Sequence, residues 1–217
     1  MVWGRRPFWV ALGAGLLLIA LLIGVSRLFQ GEGKRPPLQA PSQAAAPPHP
    51  QAVRVLSLFD FQCPFCAQFA RDGERRLRED YVARGLVVLE PRQFPILGPE
   101  SVLAAQASEC AREQGRFWDY YDLLFQRQKG RNQGTFSLAN LKSWARESGL
   151  DGPRFDRCLD TGQALRWVRA HVQEGERLGV RATPTLLVEG LRIEGLMPWE
   201  RLRPLIEDAL RRKGVTP

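Results

Sequence analysis

Two cysteines three residues apart, placed where a strand hands over to a helix, constrain this chain more than any other stretch. Residues 53–59 form an extended run with β-branched members, Val53-Arg54-Val55-Leu56-Ser57-Leu58-Phe59. Residues 67–84 contain no proline and are rich in Arg, Glu, Leu and Ala, which favour helix. Between them stands Asp60-Phe61-Gln62-Cys63-Pro64-Phe65-Cys66. Cys63 therefore falls at a helix N-terminus, where unpaired backbone N–H groups and the macrodipole favour negative charge. A thiolate is such a charge, and it is the reactive form of cysteine. Pro64 suits the first helical turn, because no partner there needs its missing N–H. Cys66 is close enough in sequence to close a small ring with Cys63.

Three chemistries compete for a Cys-x-x-Cys pair. A zinc site needs two more ligands. Cys110 and Cys158 stand apart from each other and from this pair, and neither His49 nor His171 is near any cysteine in sequence. An inert structural disulfide is a poor use of so small a ring, since it closes almost no chain and adds little stability. Reversible redox chemistry is the reading the residues favour, with no metal and no cofactor.

The rest of the chain reads as one folded domain with appendages. Arg5 and Arg6 precede an uncharged run over residues 7–26, which as a helix spans roughly 30 Å, the thickness of a bilayer core. Trp3 and Trp9 suit one interface. Residues 1–30 are read as an uncleaved membrane anchor, with a cleaved signal segment as the rival. Arg5 and Arg6 favour an inside N-terminus, although Arg27, Lys34 and Arg35 weaken that asymmetry. Residues 31–51 hold Pro36, Pro37, Pro41, Pro47, Pro48 and Pro50 among Ala, Gln and Ser, the composition of an extended tether. His49 lies in that tether and is expected to be solvated. The domain then runs over residues 52–213.

Within it a second strand is expected over residues 85–90, ended by Pro91 and Pro95. A helical block follows over about residues 98–178. Pro99 opens one helix, and Phe117, Trp118, Tyr120, Tyr121, Leu124 and Phe125 give another an aromatic core face. Ser137 and Asp151 start two more. His171 rides among Arg and Glu on the last helix of the block and is expected at the surface. An extended stretch interrupted by Pro184, a turn at Gly190, a second extended stretch at Leu191–Glu194 and a final helix opened by Pro198 complete the order. The formal net charge is +8, but Arg alternates with Glu and Asp throughout. With no aromatic-and-basic cluster, no nucleic-acid partner is expected.

Cys63-Pro64-Phe65-Cys66 at the first helix, Gln114-Gly115-Arg116-Phe117-Trp118 and Phe155-Asp156-Arg157-Cys158-Leu159 in the helical block, and Gly179-Val180-Arg181-Ala182-Thr183-Pro184-Thr185 before the hairpin together resemble the thioredoxin superfamily. They look most like its DsbA-like thiol:disulfide oxidoreductases. The resemblance implies an α/β fold, a thioredoxin fold with an inserted α-helical domain, here preceded by an N-terminal transmembrane helix. It implies that Cys63 and Cys66 are the catalytic redox pair, with Pro64 and Phe65 as active-site neighbours. It implies a cis Thr183–Pro184 bond packed against that pair, Thr183 and Pro184 being the substrate-binding residues. It also implies a structural disulfide between Cys110 and Cys158, which would close a loop of nearly fifty residues and add roughly 3–4 kcal/mol.

Strongly oxidising members carry His where this chain has Phe65. Phe has no charge or hydrogen bond to offer the Cys63 thiolate, so helix-terminus N–H groups are expected to do most of the stabilising. The implied partners are exported proteins with reduced cysteines, a quinone-linked membrane oxidoreductase for re-oxidation, and the membrane itself. The alternatives are a reductase or isomerase on the same fold, or a stalked metal-delivery module.

Overall fold

The structure, a computed structural model, describes residues 46–217. The apolar run at residues 7–26, and with it the expected anchor, lies outside the described residues. Among the described residues no helix is long and apolar enough to cross a membrane.

Four strands make one sheet in the order β2-β1-β3-β4, with β1 at Val53–Phe59, β2 at Val87–Gln93, β3 at Thr185–Val188 and β4 at Leu191–Glu194. β1 pairs parallel with β2 and antiparallel with β3, and β3 pairs antiparallel with β4. A parallel pair needs a crossover, and α1 supplies it. This helix starts at Pro64–Phe69 and continues through wider π-helical turns at Ala70–Glu74 and Arg78–Val82. The widened turns depart from the plain helix expected over residues 67–84. They accompany the burial of Glu74 and Arg78 on the side facing the next helices.

Five helices are inserted between β2 and β3: α2 (Pro99–Arg112), α3 (Phe117–Arg127), α4 (Leu138–Glu147), α5 (Gly152–Asp160) and α6 (Leu165–Arg177). Their starts are local chemistry. Pro99 and Pro153 take early helical positions, and the side chains of Ser137 and Asp151 accept from Asn140 N–H and Arg154 N–H. α2 is the hub of the block, packing against α3, α5 and α6. The last helix, α7 (Trp199–Arg212), lies against β1 and β3.

The two faces of the sheet are buried by different parts of the chain. Val53, Val55 and Phe59 join the large core shared with α1, α3 and α7. Leu58 joins Phe94 and Val180 on the other face, where Leu56, Leu187 and Val172 of α6 pack on them. Gly175 lets α6 come this close. A Cβ there would sit 2.8 Å from Leu58 and from the Phe94 ring, a gap that real side chains do not show.

Three further sequence expectations change. Pro91 does not end β2, which runs on to Gln93 with Pro91 opposite Ser57. β2 is the sheet's edge, and an edge strand tolerates a residue without a donor on its free side. His171 is not at the surface. It is buried, with Nδ1 on the carboxamide oxygen of Gln93, 78 residues earlier. Burial first, then Arg92 and Arg112, pushes its pKa down to about 3. Gln93 Nε2 donates to Ser108 and Glu109, so its oxygen faces His171 and the ring N–H must be at Nδ1. Finally, the described end of the proline-rich tether is pinned: Ala46 N–H donates to Ala83 O at 3.1 Å and His49 N–H to Gly85 O at 2.9 Å.

Candidate active site

β1 ends at Phe59, and four residues later Cys63 caps α1. Cys63 has φ −79° and ψ 119°, the extended conformation of an N-cap, and its Sγ accepts from Cys66 N–H at 3.4 Å. Pro64 occupies the first helical turn. Cys63 and Cys66 are both free thiols and both buried, whereas Phe65 between them is 57% exposed. An exposed phenyl ring beside a shielded sulfur gives the pair an apolar lip.

Thr183 and Pro184 come to the same place from 120 residues away. Their peptide bond is cis. The Thr183 carbonyl oxygen lies 3.2 Å from Cys63 Sγ and accepts from the thiol. β3 begins at the next residue, and Thr185 pairs with Leu58 of β1, so the sheet holds both halves of the site in register.

The two sulfurs are made chemically unequal. The Cys63 thiol is pushed down to about 6 from an ordinary 9. The Cys66 S–H is the first cause, and the backbone N–H groups of Cys66 and Phe65 and the Thr183 hydroxyl add to it against the cost of burial. Thr183 thus acts in both senses, its carbonyl favouring the protonated sulfur and its hydroxyl the thiolate. The helix amides therefore share the work with Cys66 rather than dominate it. Phe65 contributes through its backbone, which no reading of its side chain could reveal. Cys66 goes the other way. Burial, then its hydrogen bond with Cys63 and the charge there, holds it well above the usual thiol range. One sulfur is ready to leave or attack as an anion near neutral pH, and its neighbour keeps its proton.

Around the pair lie groups to which the sequence had given no role. Asp60, buried, accepts from Gln62 N–H, Ile96 N–H, Leu97 N–H and Ser101 Oγ–H at 2.6–2.9 Å. Glu74 is fully buried on α1 between the hydroxyls of Ser57, at 3.0 Å, and Tyr121. Burial pushes its carboxyl up. Its helical spacing from Leu77 and Tyr81 was the available signal. Behind the loop, Phe59, Phe61, Tyr121 and Phe125 pack with ring centroids 4.8–5.9 Å apart, mostly edge to face.

Cys110 and Cys158 lie elsewhere, in the insertion. A disulfide joins them, tying α2 to α5 across 48 residues of sequence with Cα atoms 5.8 Å apart.

A family model described as Thioredoxin matches residues 49–208. A probable disulfide bond formation protein D of Bacillus anthracis is 30% identical over 142 residues, covering 64% of this chain and 65% of that protein. A protein of Salinispora tropica named Na(+)/H(+) antiporter NhaA 3 is 31% identical over 172 residues. That match covers 78% of this chain but only 25% of the relative, so the chain spans about a quarter of its length. Among solved structures, oxidised BdbD from Bacillus subtilis superposes with a TM-score of 0.70 at 24% identity, over 78% of this chain and 94% of that one. At that identity the likeness speaks for the fold.

Proposed function

Because the chain belongs to the thioredoxin family, in its DsbA-like branch, we propose that it is a thiol–disulfide oxidoreductase working outside the cytoplasm, where it introduces disulfides into exported proteins. The observation that carries this reading is the inequality of the two sulfurs, with Cys63 held near 6 and Cys66 held high.

In the oxidising direction a substrate thiolate attacks Cys63 Sγ in the Cys63–Cys66 disulfide. The new bond joins the substrate sulfur to Cys63, and the Cys66 sulfur leaves and takes up a proton. A second substrate thiolate then attacks the substrate sulfur of this mixed disulfide. Cys63 leaves as a thiolate, and a low thiol pKa makes it a good leaving group. The substrate ends oxidised by two electrons, and the protein ends as the dithiol. A thiolate held stable in the reduced form raises the potential, which favours oxidation of substrate. Thr183 and Pro184 would meet the substrate chain beside Cys63, a backbone N–H of the cis-proline segment pairing with it as an added strand. Phe65 offers apolar contact at the lip. Re-oxidation falls to a quinone-linked membrane oxidoreductase, and the apolar run at residues 7–26 would tether the domain beside it.

The test is the reduction potential of the Cys63–Cys66 couple against glutathione, together with assays of insulin reduction and of oxidation of a reduced substrate. A value near about −120 mV with oxidation of the substrate supports the reading. A value near about −270 mV, with faster insulin reduction, would reassign the chain as a reductase.

A further inference from the structure

Gln128, one residue past the end of α3, reaches back to the loop that carries Cys63. Its carboxamide nitrogen lies 2.5 Å from the Phe61 carbonyl oxygen and 3.0 Å from the Cys63 carbonyl oxygen. Both partners can only accept, so the NH₂ end of Gln128 must face them.

The peptide planes of this loop are held one by one. In the unit between Phe61 and Gln62, the N–H donates to Asp60 Oδ1 at 2.8 Å and the carbonyl accepts from Gln128. In the unit between Gln62 and Cys63, the N–H donates to the Asp60 carbonyl at 3.0 Å. The unit between Cys63 and Pro64 has no N–H, because proline carries none. Its oxygen is the only hydrogen-bonding handle on that plane. Ala67 N–H takes it at 3.1 Å in the first helical bond, and Gln128 takes it from outside the helix. The tilt of this plane is the ψ angle of Cys63, 119°. It fixes where the Cys63 side chain stands relative to the helix amides, and so the 3.4 Å contact from Cys66 N–H to Sγ.

We propose that Gln128 is a positioning residue for the redox pair: by gripping the Cys63 carbonyl from the helical insertion, it sets the angle at which the Cys63 sulfur meets the start of α1. A second clip runs beside it. Gln62 Oε1 accepts from Asn132 N–H at 2.5 Å, and Gln62 Nε2 donates to Ser101 Oγ at 2.8 Å. Asn132 has φ 49° and lies over Gly98, where a Cβ would come within 2.4 Å of its side chain. The segment after α3 is thereby fastened both to the active-site loop and to the start of α2. The reactivity of Cys63 belongs jointly to the sheet and to the insertion. This inference rests on the reading of Cys63 as the exchanging sulfur.

The test uses the full 217-residue chain, reduced, with Gln128→Met, which keeps the length and removes the donor, and with Gln128→Ala. Gln128 is half-buried, so neither change empties the core. Cys63 is titrated by thiolate absorbance and by its alkylation rate across pH 4–10, and the couple is equilibrated with glutathione. Both variants should raise the Cys63 midpoint by about half to one pH unit. They should slow alkylation at pH 5 by about three- to tenfold and shift the glutathione equilibrium by a similar factor towards the oxidised protein. Melting curves should stay close to that of the parent. An unmoved midpoint in both variants would overturn the proposal. Loss of cooperative melting in both would overturn it too, making Gln128 a structural residue. If instead the parent titrates at an ordinary thiol value, the functional reading itself fails.

Discussion

The molecule carries two pairs of cysteines, and they differ in everything but the element. Cys63 and Cys66 are three residues apart, at the start of a helix, with backbone N–H groups and Thr183 turned towards one sulfur. Cys110 and Cys158 are 48 residues apart, on the buried faces of two helices, with the bond between them already made. In the first pair a closed ring constrains almost no chain, so little stability is lost when it opens, and the thiolate that forms has partners waiting. In the second, opening would release a long loop and leave two sulfurs among apolar side chains. Reactivity is set by what surrounds a sulfur and by the length of chain its bond restrains.

The comparison breaks most easily at Cys63. Cys63→Ser should lower thiol–disulfide exchange by more than about a thousandfold, since the attacked atom is gone. An exchange rate within tenfold of the parent would move the chemistry elsewhere. Changing Cys110 and Cys158 together to Ala should do the opposite. Loop-closure entropy predicts a loss of about 4 kcal/mol in stability, read from urea unfolding, with exchange at Cys63 kept within a few-fold.

His171 sharpens the contrast from the insertion side. Its folded pKa, about 3, lies below its unfolded value near 6.5. The unfolded chain therefore takes up a proton first as pH falls. Stability that is full above pH 6.5 should fall by up to about 1.4 kcal/mol per pH unit towards pH 3. His171→Asn keeps a donor for Gln93 and should flatten that slope, as measured by denaturation at pH 4 and pH 7. The smallest effect belongs to the reactive pair. Cys63 has its folded value lowered to about 6, so the reduced form gains stability as pH rises from 6 towards the ordinary thiol value of 9. After allowance for solvent screening, the reduced protein should gain about 1–2 kcal/mol relative to the oxidised protein between pH 6 and pH 8. A gap independent of pH would mean that the thiolate has no such support.

What could be read from the sequence was what the sequence decides locally. A strand, then Cys-Pro-x-Cys, then a run of helix formers puts Cys63 at a cap whatever the rest of the fold does. Pro99, Ser137, Asp151 and Pro198 mark helix starts for the same reason. What escaped depends on partners far along the chain. His171 looks like a surface residue until Gln93 is placed beside it, and Glu74 looks solvated until Ser57 and Tyr121 close over it. Gln128 shows nothing in its own neighbourhood of sequence. Its two carbonyl partners lie 65 and 67 residues earlier. Pro91 was read as a stop because the place of β2 at the rim of the sheet follows from the strand order alone.

That proline has a use. A sheet margin is a standing invitation to any unfolded polypeptide, which can add itself as one more strand. Pro91, buried in the rim strand β2, has no N–H to offer on the side away from β1, so the row of donors there has a gap and an added strand would find no continuous template.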